Sequence, residues 1–157
     1  KVLDVGCGGG RAIARILART RREVAGVDHS PEAVETTRRL NRSAIASGRL
    51  RVLEGSVDHL PFRNGFFNVV TAFETTYFWP DLQAGLIEIR RVLSPGGRLV
   101  ITNEVADREA AGRWAERLDM NVPDGRSLAA LAHEAGFLTV DISIHPRHGW
   151  LRLLAAR

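Results

Sequence analysis

The 157-residue sequence contains a single cysteine, a single lysine and no long apolar run. One cysteine, Cys7, cannot form an internal disulfide, so the sequence favours a cytoplasmic location. No segment approaches the roughly 20 consecutive apolar residues of a membrane-spanning helix, so no membrane contact is expected. The sequence shows no signal-peptide pattern. Because Lys1 already lies within a predicted strand, we expect that a natural N-terminal lid segment is missing.

The net charge of +4 comes almost entirely from arginine. The arginines occur as short pairs on different predicted helices and loops, at Arg21-Arg22, Arg38-Arg39 and Arg90-Arg91. No run of like charge with interleaved aromatic residues is present, so nucleic acid is not indicated as a partner. The length suits a single domain, residues 1–157, that buries about two thirds of its unfolded surface. The composition does not indicate an oligomeric state.

The first eleven residues, KVLDVGCGGGR, read as a strand, a glycine turn and the start of a helix. Val2, Leu3 and Val5 predict a short buried strand, and apolar residues at helical spacing follow from Ala12. Glycines allow positive φ angles and close approach of a ligand. The helix N-terminus adds unpaired N–H groups and the positive end of a dipole. The turn is therefore predicted to bind a small molecule.

The spacing of the glycines and the acid Asp4 distinguish a dinucleotide from a cationic ligand. A dinucleotide fingerprint needs a third glycine where Arg11 stands, and the sequence lacks it. The pattern is instead Asp4-x-Gly6-x-Gly8-x-Gly10. A carboxylate at Asp4 would repel a pyrophosphate but not a ligand that carries an ammonium and a sulfonium. On these residues the stretch resembles the first motif of the class I S-adenosylmethionine-dependent methyltransferases.

That resemblance extends along the whole chain and implies a fold. Residues 66–73 read as a buried central strand, and EIRRVLSPGGRLVI at residues 88–101 is similar to the family's stretch leading into its fifth strand. Period-two alternation at residues 138–144 and a returning strand at residues 150–155 close the pattern. The resemblance implies a Rossmann-like, three-layer α/β sandwich. Its sheet has about seven mostly parallel strands and an antiparallel last strand.

Three later helices are predicted from caps and spacing. Asp81 begins a helix that ends at Ser94-Pro95-Gly96-Gly97. Residues 110–118 form a second helix. Ser127 caps a third helix, which Gly136 closes.

Asp28 ends the second predicted strand at about the 20-residue distance expected of a ribose-binding acid. Its carboxylate would accept hydrogen bonds from both ribose hydroxyls. The alternative is that Asp28 only caps the turn before Ser30-Pro31. The resemblance places His29 against one face of the adenine, and the backbone of Val57 at its edge. Ser56 stands where the family usually has an acid that holds the adenine amino group.

The resemblance therefore implies S-adenosylmethionine as the cofactor. The residues assigned to its site are Asp4, Gly6, Cys7, Gly8, Gly10, Asp28, His29, Ser56, Val57 and Phe73. For Cys7, a small side chain that fits the turn is favoured over a nucleophilic thiol.

The acceptor site is predicted beyond the glycine turn, where the fourth strand leads into a loop with the sequence ETTYFWP, residues 74–80. Glu74 is the first candidate for a general base and His148 the second. The implied topology brings strand ends together, so Glu74, Tyr77, Asn103 and His148 are expected to rim one cleft. The alternative is that residues 145–149 form a solvated hairpin.

The sequence thus predicts an enzyme that transfers methyl from S-adenosylmethionine to a small-molecule acceptor. Two alternatives stay open: a cofactor-binding module without catalysis, and a nicotinamide-dependent oxidoreductase. No metal is expected, because His145-x-x-His148 lacks cysteine partners. A magnesium site at Glu74, Asn103 and Glu104, like that of catechol-type methyltransferases, is the less favoured alternative.

Overall fold

The computed structural model describes residues 1–118 and 120–157, which form a seven-stranded sheet flanked by helices. The strands are β1 (Val2–Val5), β2 (Val24–Asp28), β3 (Leu50–Glu54), β4 (Phe67–Phe73), β5 (Leu93–Asn103), β6 (Thr139–Ile144) and β7 (Leu151–Ala156). The helices are α1 (Arg11–Arg19), α2 (Pro31–Leu40), α3 (Arg42–Ala46), α4 (Leu82–Val92), α5 (Arg108–Ala111), α6 (Arg113–Arg117) and α7 (Gly125–Glu134). A 3₁₀ turn at Thr76–Phe78 lies between β4 and α4.

The strand order is β3-β2-β1-β4-β5-β7-β6. The first five strands pair in parallel. β7 pairs antiparallel with both β5 and β6, so β6 runs in the same direction as the first five strands. The predicted Rossmann-like sheet, mostly parallel with an antiparallel last strand, is confirmed.

This topology brings the carboxyl ends of β1 to β6 to one edge of the sheet. The chain builds outward from β1 through β2 and β3, then returns to the other side of β1 with β4. In open α/β sheets such a reversal leaves a crevice beyond the strand ends, and ligands bind there. The loops after β1, β2, β3 and β4 therefore converge on one place.

Each face of the sheet is covered by helices that bury an apolar stripe. On one face Leu86 and Ile89 of α4 and Leu128 of α7 join Leu3 and Val70 in the main core, all fully buried. On the other face the apolar residues of α1 and α2 pack with those of β2 and β3. Burial of each such side chain contributes about 1.5–3 kcal/mol.

Two boundaries in the C-terminal half differ from those predicted. The predicted helix over residues 110–118 is divided into α5 and α6, because Gly112 takes a positive φ of 52° between them. The cap of α7 is Asp124 rather than Ser127: the Asp124 carboxylate accepts a hydrogen bond from the Ser127 N–H at 2.8 Å. Sequence spacing placed the cap one turn too late.

A third difference lies where α4 meets β5. The predicted stop, Ser94-Pro95-Gly96-Gly97, is a bulge within β5 rather than a separate turn. Leu93 pairs with Phe67, and pairing resumes only at Arg98 opposite Val69. β5 therefore begins directly after α4, and Asn103 still lies at the edge formed by the carboxyl ends of the strands.

The described helices are short. The longest, α4, has 11 residues. None of those in the described ranges is long and apolar enough to cross a membrane.

Candidate functional site

Three glycines of the turn between β1 and α1 take backbone conformations that other residues rarely adopt. Gly6, Gly8 and Gly10 have positive φ angles of 69°, 51° and 77°. The amides of Gly6 and Cys7 both donate to the carbonyl oxygen of Val27, at 2.8 and 3.1 Å. The turn is thus tied to the end of β2 as well as to β1.

Alanine at Gly6 is expected to destabilise the fold by at least about 2 kcal/mol. Its Cβ would lie 1.9 Å from Thr75 Oγ1, and the φ angle is positive. Gly9 is the matched control, because it lies in the same turn and a Cβ there meets nothing within 4 Å. Urea unfolding of Gly6→Ala and Gly9→Ala checks this. Equal stability of the two variants would show that Thr75 does not pack on the turn.

Two polar residues that the sequence did not predict, Thr37 of α2 and Asn41 directly after that helix, hold the glycine turn from behind. The Thr37 hydroxyl donates to the carbonyl oxygen of Gly8 at 2.6 Å, and Asn41 Nδ2 donates to that of Gly10 at 3.2 Å. Both side chains are buried. The only sequence signal of these contacts is that Thr37 is a polar residue on the buried face of α2.

Asp28 connects the end of β2 to the turn. Its Oδ2 accepts the Gly8 N–H at 2.8 Å and its Oδ1 accepts the Ser30 N–H at 3.0 Å. The carboxylate therefore caps its own turn, which was the alternative interpretation. It also lines the crevice at the strand ends. Each oxygen has a further lone pair for a ligand hydroxyl, so the two roles are compatible.

We call the crevice beside the turn the glycine-turn cleft. It is a space of about 150 Å³ lined by Val5, Gly6, Val27, Asp28, His29, Gly55, Ser56, Val57, Thr75, Phe78, Trp79 and Pro80. Of the predicted cofactor residues, Gly6, Asp28, His29, Ser56 and Val57 lie on its walls. Phe78, which is half exposed, lines the cleft from the loop after β4.

Asp4 is buried beneath the turn rather than on the wall of the cleft. Its Oδ1 accepts the Thr71 hydroxyl at 2.6 Å, and the residue is 2% exposed. Burial raises the pKa of Asp4 to about 7, the Thr71 hydrogen bond opposes this, and the charge of Asp28 adds to the rise. A cationic ligand group nearby would lower this pKa and stabilise the ionised carboxylate.

Asp4→Asn is expected to stabilise the ligand-free protein at pH 8 by about 2–4 kcal/mol. The pKa of Asp4 is about 7 when folded against 3.8 for the free side chain. The folded state therefore binds the extra proton between these values, and stability falls as pH rises from about 4 to 7. Asparagine does not ionise and so avoids this loss, and the free energies of unfolding of the parent and of Asp4→Asn should therefore converge near pH 4. Thermal unfolding of both proteins across pH 4–8 measures this stability difference. A difference that stays constant with pH would contradict the raised pKa of Asp4.

Two predicted cofactor residues face away from the glycine-turn cleft. The Cys7 side chain is buried with Ile13 and Val34 in the core under α1 and α2. Burial raises the pKa of its thiol to about 12, which makes the sulfur a poor nucleophile. Phe73 lines a groove against α1 with Ala12 and Ile16. The structure thus places Cys7 within the turn as a packing residue, and Phe73 outside the cleft.

A larger space, which we call the Trp150 cavity, lies on the other side of the loop after β4. It measures about 560 Å³ and is lined by Glu74, Thr102, Glu104, Ser143, Ile144, His145, Pro146, Trp150, Leu151 and Arg152. Glu74 lines this cavity, whereas the next residue, Thr75, lines the glycine-turn cleft. The two spaces therefore flank the same stretch of backbone.

Glu74 is held at the cavity in an uncommon conformation. It is the one non-glycine residue of the described chain with a positive φ, 56°. Its Oε2 accepts the Glu104 N–H at 2.7 Å and the Tyr77 hydroxyl at 3.3 Å. The protein atoms packed around the carboxylate raise its pKa, and the charge of Glu104 adds to this. A fixed carboxylate with a raised pKa is a suitable general base.

Of the four residues expected to rim the acceptor cleft, the described structure brings only Glu74 to the cavity wall. Tyr77 is buried behind it, and its hydroxyl also accepts the Val105 N–H at 3.1 Å. Asn103 is buried against Thr76, to whose hydroxyl it donates at 2.9 Å. His148 stacks on Trp150. The predicted edge of the sheet is correct, but side-chain direction brings His145 and Trp150 to the wall instead.

A metal site was the less favoured alternative at this edge. Among the residues that the structure describes, no group of three or more His, Cys, Asp or Glu side chains is placed to hold a metal ion. Asn103, one of the three proposed ligands, is turned towards Thr76.

The chain matches a family model described as a methyltransferase domain over residues 3–101. It is 29% identical over 147 residues to O-methyltransferase cnsE of Penicillium expansum, covering 90% of this chain and 53% of that protein. It is also 29% identical over 149 residues to O-methyltransferase rstn1 of Aspergillus nomiae, covering 91% and 66%. The chain thus spans between half and two thirds of the length of these relatives.

Solved structures share the fold. The S-adenosylmethionine-dependent methyltransferase from Mesorhizobium loti superposes with a TM-score of 0.81. The alignment covers 100% of this chain and 90% of that one at 16% identity. At this identity the likeness supports the fold alone.

Proposed function

Since the chain belongs to the methyltransferase-domain family, we propose that it transfers a methyl group from S-adenosylmethionine to a small-molecule acceptor. The observation that carries the proposal is the position of Glu74 and Thr75. These neighbours line two separate spaces at the functional edge, one beside the glycine turn and one beyond it. Methyl transfer needs a cofactor and an acceptor in adjacent sites, and these two spaces adjoin the same stretch of backbone.

The residues around the glycine turn fit this cofactor. S-adenosylmethionine, when bound, supplies an activated methyl group on a positively charged sulfur. Asp28 would accept the ribose hydroxyls, and Ser56 and Val57 would hold the adenine. Asp4, buried beneath the turn, favours the methionine ammonium over an anionic group. The same acid opposes the pyrophosphate of a dinucleotide, so the oxidoreductase alternative fits less well.

The acceptor would occupy the Trp150 cavity, with Glu74 receiving its proton. Orientation of the two reactants can supply about 7–11 kcal/mol, so the main task of the protein is alignment. Oε2 of Glu74 accepts the Glu104 N–H and the Tyr77 hydroxyl, so the proton of the acceptor would go to Oε1. The fungal relatives are named as O-methyltransferases, which supports a hydroxyl acceptor.

Calorimetric titration with S-adenosylhomocysteine and with NAD tests the cofactor half of this proposal. We expect binding of S-adenosylhomocysteine and none of NAD at the same concentrations. The reverse result would overturn the proposal in favour of an oxidoreductase. Binding of S-adenosylhomocysteine without transfer to any acceptor would instead favour a non-catalytic module.

A further inference from the structure

Three aromatic rings stack in the turn between β6 and β7. The rings of His148 and Trp150 lie 4.6 Å apart at 20°, and those of His145 and His148 lie 4.7 Å apart at 31°. The rings of His145 and Trp150 are 5.8 Å apart at 44°. Trp150 lies at the end of this turn, directly before β7.

The backbone fixes the orientation of this stack. Nδ1 of His145 accepts the N–H groups of Arg147 and His148, each at 3.3 Å. The Gly149 N–H donates to the carbonyl oxygen of His145 at 2.9 Å. These hydrogen bonds occupy Nδ1 of His145 and hold its imidazole ring in place.

One face of the Trp150 indole is covered, and the other side of the ring is available for contact with a ligand. His148 stacks on one face of the indole, yet 49% of the Trp150 residue is exposed and it lines the Trp150 cavity. Ile144, Pro146 and Leu151 supply apolar walls on the same side of the cavity. Glu74 and Glu104 come from the ends of β4 and β5. The cavity thus has an aromatic and apolar side and a carboxylate side.

We propose, resting on the proposed function, that the Trp150 cavity takes a planar aromatic acceptor that stacks on the Trp150 indole and directs its hydroxyl to Glu74. A cavity of about 560 Å³ is within the range of small-molecule sites. An indole already held by His148 loses little freedom when a second ring stacks on it. Aromatic pairs add affinity beyond the area they bury, which an aliphatic acceptor of equal size cannot gain.

The charged groups of the lining favour a neutral acceptor over an anionic one. Glu74 and Glu104 carry negative charge, and Arg152 is the one cation of the described lining. An acidic acceptor would place its charge beside the two glutamates, whereas a hydroxyl can donate to them. The acceptor is therefore expected to be an uncharged, hydroxyl-bearing ring system.

Binding of 2-naphthol and of its saturated analogue decahydro-2-naphthol tests the proposal. The two probes share a hydroxyl and a similar apolar size, but only the first is flat and aromatic. We expect 2-naphthol to bind about tenfold more tightly. Titrations are run with and without S-adenosylhomocysteine, so that loss of cofactor binding is scored separately from loss of the ring preference.

Trp150→Leu identifies the source of the preference, since 2-naphthol also has the more acidic hydroxyl. The ratio of the two affinities should fall to near one in this variant and persist in Trp150→Phe. Trp114→Leu is the matched control, because Trp114 is 62% exposed on α6 and outside the cavity. Equal binding of the two probes, or a preference that Trp150→Leu leaves unchanged, would overturn the proposal even if S-adenosylhomocysteine binds.

Discussion

Asp28→Ala is expected to weaken binding of S-adenosylhomocysteine by at least about a hundredfold, which is about 2.7 kcal/mol. Two losses combine. The ribose hydroxyls lose charge-assisted hydrogen bonds, each worth about 1.5–3 kcal/mol. The N–H groups of Gly8 and Ser30, which donate to Asp28 at 2.8 and 3.0 Å, also lose their acceptor. The glycine turn is then less well ordered before the ligand binds.

Calorimetry of two further variants separates these losses. Asp28→Asn keeps one carboxamide oxygen and should lose less affinity than Asp28→Ala. Glu54→Ala is the matched control, because Glu54 pairs with Asp28 at the end of the neighbouring strand and lies outside the cleft lining. Unchanged binding in Asp28→Ala would show that Asp28 only caps its turn.

Glu74→Gln is expected to lower the rate of methyl transfer to a hydroxyl acceptor by about 10²- to 10⁴-fold. The amide keeps the shape of the side chain but cannot receive the proton. Affinity for S-adenosylhomocysteine should stay within about twofold, because Glu74 lines the Trp150 cavity rather than the glycine-turn cleft. Formation of S-adenosylhomocysteine with a hydroxylated aromatic acceptor measures the rate.

The dependence of the methyl-transfer rate on pH tests the role of Glu74 as a base independently. Only ionised Glu74 can act as a base, so the rate should rise with pH through a pKa above the ordinary value of a glutamate. The charge of Glu104 contributes to that raised pKa, so Glu104→Gln should move the rise to lower pH. A profile identical in Glu74→Gln and the parent would show that another group receives the proton.

The fold and the position of the glycine turn could be predicted from local sequence because their signals are local. Glycines that need positive φ lie between a strand and a helix within eleven residues, and Asp28 follows at a fixed distance. The strands show period-two or continuous apolar patterns. The parallel order and the antiparallel β7 then follow from the resemblance, and the structure confirms both.

The contacts that were not predicted join residues far apart in sequence. Thr37 and Asn41 reach the glycine turn across 29 and 31 residues, and no local pattern marks a hydroxyl or amide for such a contact. Topology placed residues 145–149 at the correct edge, but it does not determine side-chain direction. Hydrogen bonds to His145 Nδ1 and stacking on Trp150 decide which rings line the cavity.

The most direct test of the account is a crystal structure of the complex with S-adenosylhomocysteine. We predict the ribose hydroxyls on Asp28 and the adenine between His29 and Val57. The sulfur should lie beside Gly6 and face the Trp150 cavity across Glu74. A ribose away from Asp28, or a sulfur directed away from that cavity, would contradict a methyl-transfer site at this edge of the sheet.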